Sequence, residues 1–372
     1  MTFGGLMRFV VAMDSFKGSL TSLEAGNAVK RGIERACPEA EVTVIPLADG
    51  GEGTIDAMEP FLNGITRNVT VTGPAGKSVD ASYIYVPGTQ TAYIEMAKAA
   101  GLTLLDEDER DPYVTTTYGV GELMKDAILN GAKELVICIG GSATNDGGAG
   151  MLQALGARFN DKNGLEIRRG CKGLRDLETV DLSGLTGRDI PMTVASDVNN
   201  PLCGPDGASF VYGPQKGASP EACENMDGWL KSFAEKCGFD PFEKGTGAAG
   251  GMSFALKNFF DANIESGADI VLRITNAEDL IRDCDIVVTG EGRMDSQTVN
   301  GKAPFKVMKL GRKYSKPVFG ITGITGDGYE KCLEAGFEQI APLVVPVMEK
   351  GAALKSCEET AFVLFGQPNM KT

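Results

Sequence analysis

The chain has no histidine among its 372 residues. That absence removes Ser-His-Asp and Cys-His catalysis, imidazole metal sites and imidazole proton shuttles together, so any general base must be Asp, Glu, Lys, Tyr or Cys. Basic residues are also scarce: 36 Lys+Arg against 50 Asp+Glu give a formal charge of -14. A field of that sign repels nucleic acid and anionic membrane surfaces, so neither is an expected partner. A small anion remains compatible if its basic ligands are few and local. No run reaches the roughly 18 apolar residues needed to span a bilayer, and Met1 to Met7 holds too little apolar length for a signal peptide. Nine cysteines, at 37, 138, 171, 203, 223, 237, 284, 332 and 357, form no CxxC pair and no even framework. They read as thiols of a reducing cytoplasm.

What is present is an ordinary globular composition, 42% hydrophobic and 23% charged, in a chain long enough for two domains. The most informative stretch is Leu135-Val-Ile-Cys-Ile-Gly-Gly-Ser-Ala-Thr-Asn-Asp-Gly-Gly-Ala-Gly-Met-Leu-Gln-Ala-Leu155. An apolar strand runs into glycines, hydroxyls and one carboxylate, then a helix, which is the pattern of an anion-binding turn. Backbone N–H groups at Gly140, Gly141, Gly147 and Gly148 are expected to face phosphate oxygens. Asp146 beside such a cradle calls for a divalent cation or a transferable proton, so phosphoryl transfer is the first expectation.

Arg8-Phe-Val-Val-Ala-Met-Asp14 reads as a buried parallel strand delivering a carboxylate to a sheet edge. Thr21 and Glu24 have capping-box spacing for a following helix that Pro38 stops. A second strand over 41–47 leads into Asp49-Gly-Gly-Glu52 and another helix. The pattern then changes to hairpin-like strands around Gly73-Pro-Ala-Gly76, and the βα rhythm returns near 277 with strands over 285–289, 317–322 and 339–345. Five strands with helical crossovers suggest a flavodoxin-like doubly wound parallel sheet built from residues 1–75 and 278–372. Residues 76–277 would form an inserted mixed α/β domain, with the active site in the cleft between the two and hinge closure excluding water.

Acids at 14, 49, 146, 197 and 291 all fall at or just past strand ends among glycines, the edge where open α/β sheets bind ligands. Lys17 in Ser15-Phe-Lys-Gly-Ser19 is placed to meet phosphate or carboxylate. Asp197, followed by Asn199 and Asn200, is the candidate base. Glu291, Arg293 and Asp295 crowd the loop Gly290-Glu-Gly-Arg-Met-Asp295. Two apparent signatures fail. Gly245-Thr-Gly-Ala-Ala-Gly250 matches GxGxxG but follows no strand, and Gly301-Lys302 lacks the rest of a Walker A loop.

Six motifs in register, Asp14-Ser-Phe-Lys-Gly-Ser19, Leu47-Ala-Asp-Gly-Gly-Glu-Gly-Thr54, Gly140-Gly-Ser-Ala-Thr-Asn-Asp-Gly-Gly148, Ser196-Asp-Val-Asn-Asn-Pro-Leu-Cys-Gly204, Tyr212-Gly-Pro-Gln-Lys-Gly217 and Thr289-Gly-Glu-Gly-Arg-Met-Asp-Ser-Gln-Thr298, closely resemble the bacterial glycerate kinase family (glycerate 2-kinase type) from about residue 8 to 345. The resemblance implies ATP-dependent phosphorylation of D-glycerate with Mg²⁺, in most such enzymes to 2-phosphoglycerate, and a flavodoxin-like domain carrying an α/β insertion. Residue roles are assigned by chemistry. Residues 140–148 take the ATP phosphates, with Gly140, Gly141, Gly147 and Gly148 lending backbone and Ser142, Thr144 and Asn145 lending side chains. Asp146, Asp49 and Glu52 hold Mg²⁺, and Asp197, Lys17 and Asp146 are catalytic. Asp14, Lys17, Asp49, Asn200, Glu291, Arg293 and Asp295 bind substrate. The chain is expected to act in the cytoplasm as a monomer or homodimer. The competing readings are a nicotinamide-dependent oxidoreductase acting on a small hydroxy acid and a non-catalytic sugar-acid binding protein.

Overall fold

A computed structural model of the chain describes residues 6–345 and 349–366. The amino-terminal stretch weighed above as a signal segment lies largely outside them. The chain divides into two compact units, residues 1–49 with 268–372 and residues 50–267.

The first unit is built on a five-stranded, all-parallel sheet ordered Glu41–Pro46, Arg8–Met13, Ile286–Gly290, Val318–Thr322, Gln339–Pro342. In chain order this is 2-1-3-4-5, made from the five strands expected of the sequence. The central strands are buried almost throughout, Phe9 to Met13 and Val318 to Thr322, because both faces are covered. Helix Ser22–Ala36 starts at the capping box read from the sequence: Thr21 Oγ1 accepts from Glu24 N–H at 3.3 Å and Glu24 Oε2 accepts from Thr21 N–H at 3.1 Å. Helix Lys350–Phe365 packs along it and plugs the core with Phe365, whose ring lies 5.4 Å from both Phe9 and Phe319. That helix was not read from the sequence, since its small residues alternate with charge without a clear apolar stripe.

The second unit holds a six-stranded mixed sheet, ordered Asn263–Glu265, Met192–Ala195, Glu134–Cys138, Thr91–Glu95, Ser78–Val86, Ile65–Thr72. The first four strands are mutually parallel and the last two antiparallel. The hairpin turns over Gly73-Pro-Ala-Gly76 as expected, in register Thr72 with Ser78. The expected boundary near residue 75 is displaced to 49 for a physical reason: Ile65–Thr72 pairs with Ser78–Val86 and so belongs to the second sheet. The core of this unit is aromatic where helices Pro220–Lys236 and Ala248–Phe260 meet, with Phe233, Phe239, Phe254 and Phe259 in edge and stacked contacts. Among the described residues no helix is long and apolar enough to cross a membrane.

Candidate functional site

In the second unit three loops following strand ends converge. Gly140 N–H donates to the Gly50 carbonyl at 3.1 Å, and a Cβ at Gly140 would lie only 2.4 Å from Gly51 Cα, so only glycine permits this approach. Gly50, at φ +83°, packs against Ala195 at the end of Met192–Ala195, immediately before Ser196 and Asp197. Glu52 comes beside Gly141, with 3.4 Å between its Cβ and the position of an added Cβ there, and accepts from Thr103 Oγ1 at 3.1 Å.

The loop over 140–148 differs from the expected phosphate wrap. Gly141 is exposed and Gly140 half-buried, but from Ser142 onward the loop is interior. Gly147 N–H is taken by the Gly250 carbonyl at 2.9 Å, and Gly148 N–H by Asp146 Oδ1 at 3.1 Å. Asp146 Oδ2 accepts from Thr117 N–H at 2.8 Å, Thr117 Oγ1 at 3.0 Å and Gly150 N–H at 3.3 Å. Asp146, expected from the sequence to hold Mg²⁺ and to act in catalysis, is wholly buried here and clasps the loop to the start of helix Tyr118–Leu129. Burial raises its pKa, and the four donors counter that rise. Thr144 and Asn145, expected to lend side chains to the ATP phosphates, also lie in the interior. Both are fully buried, and Asn145 Nδ2 donates to Ser209 Oγ at 2.9 Å. Within the loop only Gly141 is exposed, with Gly140 half-buried and its N–H taken by Gly50. Gly245 to Gly250, the false dinucleotide fingerprint, has a packing role: a Cβ at Gly250 would fall 2.1 Å from the Thr144 carbonyl.

Sequence reading missed Lys216. Its side chain is 2% exposed, and its Nζ donates to Ser142 Oγ at 2.9 Å and to the Thr144 carbonyl at 2.6 Å. Desolvation brings its pKa down from 10.5 to about 7, opposed by the Asp146 charge. Because Lys216 donates to the Ser142 oxygen, the Ser142 hydroxyl proton is left to donate elsewhere, which suits an anion outside. The only prior signal was the lysine's place in the motif Tyr212-Gly-Pro-Gln-Lys-Gly217. Glu95 was also missed: it accepts from Gly53 N–H at 2.8 Å and Ile55 N–H at 3.1 Å, capping helix Thr54–Leu62 from a neighbouring strand.

In the first unit the sequence-predicted residues do gather. Asp14 N–H donates to the Gly290 carbonyl at 2.8 Å, joining two adjacent strand ends. Burial lifts the Asp14 carboxyl from 3.8 to about 6, with the charges of Asp49 and Glu291 adding to the rise and Ser15 N–H and Lys17 opposing it. Lys17 Nζ lies 3.4 Å from Asp49 Oδ2; both are exposed, so the pair contributes little to stability and leaves the ammonium usable. Glu291 is buried, accepting from Thr298 Oγ1 at 2.7 Å and from Lys302 Nζ at 3.0 Å. Lys302 is a second cation absent from the expected set. Arg293 Nε pairs with Asp295 Oδ2 at 3.1 Å, and Gln297 N–H leads the contacts holding the Asp295 carboxyl below its usual range. Thr322 Oγ1 fixes this loop through the Glu291 carbonyl at 2.9 Å. Back in the second unit, Asp197 is exposed just beyond its strand, and Asn200 is used internally, with Nδ2 on the Asp206 carbonyl and Oδ1 accepting from Tyr212.

A parallel α/β sheet whose strand-end loops gather carboxylates around lysine and arginine defines an α/β protein with a charged small-ligand site at that edge. Comparison with known proteins makes this specific. The family model described as the glycerate kinase family matches residues 9–362. Glycerate 2-kinase of Escherichia coli (strain K12) is 45% identical over 92% of this chain and 91% of its own length, and glycerate kinase of Bacillus subtilis (strain 168) is 45% identical over 92% of each. A crystal structure of glycerate kinase 2 from Salmonella typhimurium LT2 superposes with a TM-score of 0.84 at 40% identity, covering 97% of this chain and 98% of that one. The chain belongs to the glycerate kinase family.

Proposed function

We propose that the chain transfers the γ-phosphoryl group of ATP, with Mg²⁺, to the 2-hydroxyl of D-glycerate, giving 2-phosphoglycerate. The observation that carries the reading is the carboxylate group Asp14, Asp49 and Glu291 set among Lys17, Lys302 and Arg293, in a chain alike to glycerate kinases over nearly its whole length. Lys17 and Arg293 supply cations for the glycerate carboxylate, with Asp295 orienting Arg293. Asp14 is suited to accept the hydroxyl proton: a carboxyl at about 6 is ionised at neutral pH yet basic enough to take a proton in the transition state. Asp197 is the second acceptor to test, because it stands exposed at a strand end beside the Gly50 loop.

Gly141 and Ser142 receive the phosphates, with Lys216 behind them adding charge to Ser142. An arriving phosphate would draw the Lys216 pKa upward and so restore its ammonium where negative charge develops. Among the described residues no three acidic or thiol side chains close into a metal cage. Mg²⁺ is commonly bound through one or two carboxylates together with phosphate oxygens and water. Glu52 beside Gly141, and Asp49, are the carboxylates of the right hardness. When bound, the ion neutralises phosphate charge.

The test is ADP release from ATP and Mg²⁺ with each glycerate enantiomer. Release that depends on D-glycerate supports the reading, and release that ignores it sinks it. Comparing D14N with D197N locates the base, since loss of a true base should lower kcat by about 10²–10⁴.

A further inference from the structure

Away from the loop surface just described, the second unit contains a cleft of about 710 Å³ formed by the hairpin Arg158–Asn160 with Thr179–Asp181, the end of helix Ala149–Ala154 and Tyr118. Three guanidinium groups, Arg158, Arg168 and Arg169, line it together with Glu166 and Asp181. Such a concentration of positive charge is unusual on a chain of net charge -14. Among the described residues no ion pair within 4.0 Å joins any of the three arginines to a carboxylate, although Arg158 stands opposite Asp181 across the strand pair and its charge adds to the Ser183 hydrogen bonds that hold that carboxyl low. The two acids are engaged by protein donors instead: Glu166 accepts from Gln153 Nε2 at 3.2 Å and Asp181 from Ser183 N–H at 2.9 Å. Arg169 is stacked on the Tyr118 ring, its Cζ 3.3 Å from the centroid. Stacking fixes a guanidinium through its face and leaves its in-plane N–H donors open to an oxyanion.

We infer that this cleft binds a small acid carrying both a phosphate and a carboxylate, and that its occupation is felt at the glycine loop. Paired guanidinium forks match planar carboxylate and phosphate oxygens, and two anionic groups suit three cations better than one. The volume is within the range of small-molecule sites. The only aromatic ring lining the cleft among the described residues already carries Arg169, which argues against stacking a nucleobase. The route to the loop is short. Tyr118 follows Thr117, whose N–H and hydroxyl hold Asp146. Gln153 lies in the helix whose Met151 N–H donates to the same Thr117 hydroxyl at 2.9 Å. An anion that pulls on Arg169 and its stacked ring therefore acts on the residue beside the Asp146 clasp.

The arginine variants separate the binding half of this inference from the kinase reading: a site that makes 2-phosphoglycerate would also hold a phosphorylated acid, but would not lose it when the cleft arginines are replaced. Calorimetric titration of the full chain with phosphoenolpyruvate should show a binding component that is weakened by about tenfold or more in R168Q/R169Q, as loss of charge-assisted bonds requires. R158Q serves as the second variant, and circular dichroism checks that both remain folded. Pyruvate and inorganic phosphate should each bind more weakly than phosphoenolpyruvate. The coupling half is read by hydrogen exchange at the Gly148 and Gly150 amides, which should slow when the cleft is filled in the wild type and not in the variant. Binding that is absent, or that survives both variants, overturns the site. Arginine-dependent binding with unchanged exchange overturns the coupling. A chain that binds phosphoenolpyruvate in this way yet makes no ADP would sink the proposed kinase function and leave the cleft standing.

Discussion

Replacing Lys216 by methionine should change how the stability of the second unit depends on pH. In the folded chain the ammonium is desolvated and titrates at about 7, against 10.5 for the group in water. Below the folded value both states carry the proton and the cost of the buried charge is fully present. Between the two values the unfolded chain binds more protons than the native one, so stability rises with pH, and above 10.5 the cost has gone. Each pH unit inside that window is worth about 1.4 kcal/mol, so wild type should lose about 2 kcal/mol relative to K216M between roughly pH 9 and pH 7. The variant also loses the bonds to Ser142 Oγ and the Thr144 carbonyl, a penalty that does not vary with pH and so drops out of the slope. Urea unfolding followed by Trp229, the single tryptophan, which lies in helix Pro220–Lys236 of the second unit, gives the two curves. Curves that run parallel from pH 7 to pH 9, within about 0.5 kcal/mol, would refute the placement of a charged amine in that interior.

D14N should lower turnover by about 10²–10⁴ while stabilising the first unit at neutral pH by up to about 3 kcal/mol, because the Asp14 pKa is raised and the cost of its ionisation builds up from 3.8 and is complete above about 6. Below about pH 4 the gain should vanish, and the wild-type kcat/KM should fall on the acid side of about pH 6; a profile flat to pH 5 contradicts the role. D146N places an amide donor among four donors and should cost about 2–4 kcal/mol of stability with little change in the Mg²⁺ concentration needed for half-maximal rate. A large Mg²⁺ shift with unchanged stability would return Asp146 to the metal. G140A, whose Cβ would meet Gly51 Cα at 2.4 Å, should separate the two loops and lower kcat/KM while costing about 1–3 kcal/mol in thermal unfolding; a wild-type rate would show that their contact is dispensable.

The strands ending at Met13, Pro46 and Cys138 were legible because each is a short, largely apolar run leading into a carboxylate or glycines, and the capping box at Thr21 needs only local spacing. The importance of residues 140–148 was legible too, but the direction of their donors was not. Whether Gly147 N–H faces solvent depends on the carbonyl of Gly250, about a hundred residues on, and the Asp146 oxygens are taken by Thr117 from an earlier helix. Burial likewise hid Lys216, since a lysine in a turn motif looks solvated until the chain around it is folded. The acids at 14, 49 and 291 could be read as a group because parallel strands of one sheet deliver their ends to one edge.

The most direct measurement is the phosphorus NMR spectrum of the product formed from ATP, Mg²⁺ and D-glycerate. A phosphate ester on carbon 2 couples to a single proton and should appear as a doublet, the expected result. A triplet, from an ester on the carbon 3 methylene, would contradict the assigned position. A spectrum showing only unreacted ATP would contradict phosphoryl transfer altogether.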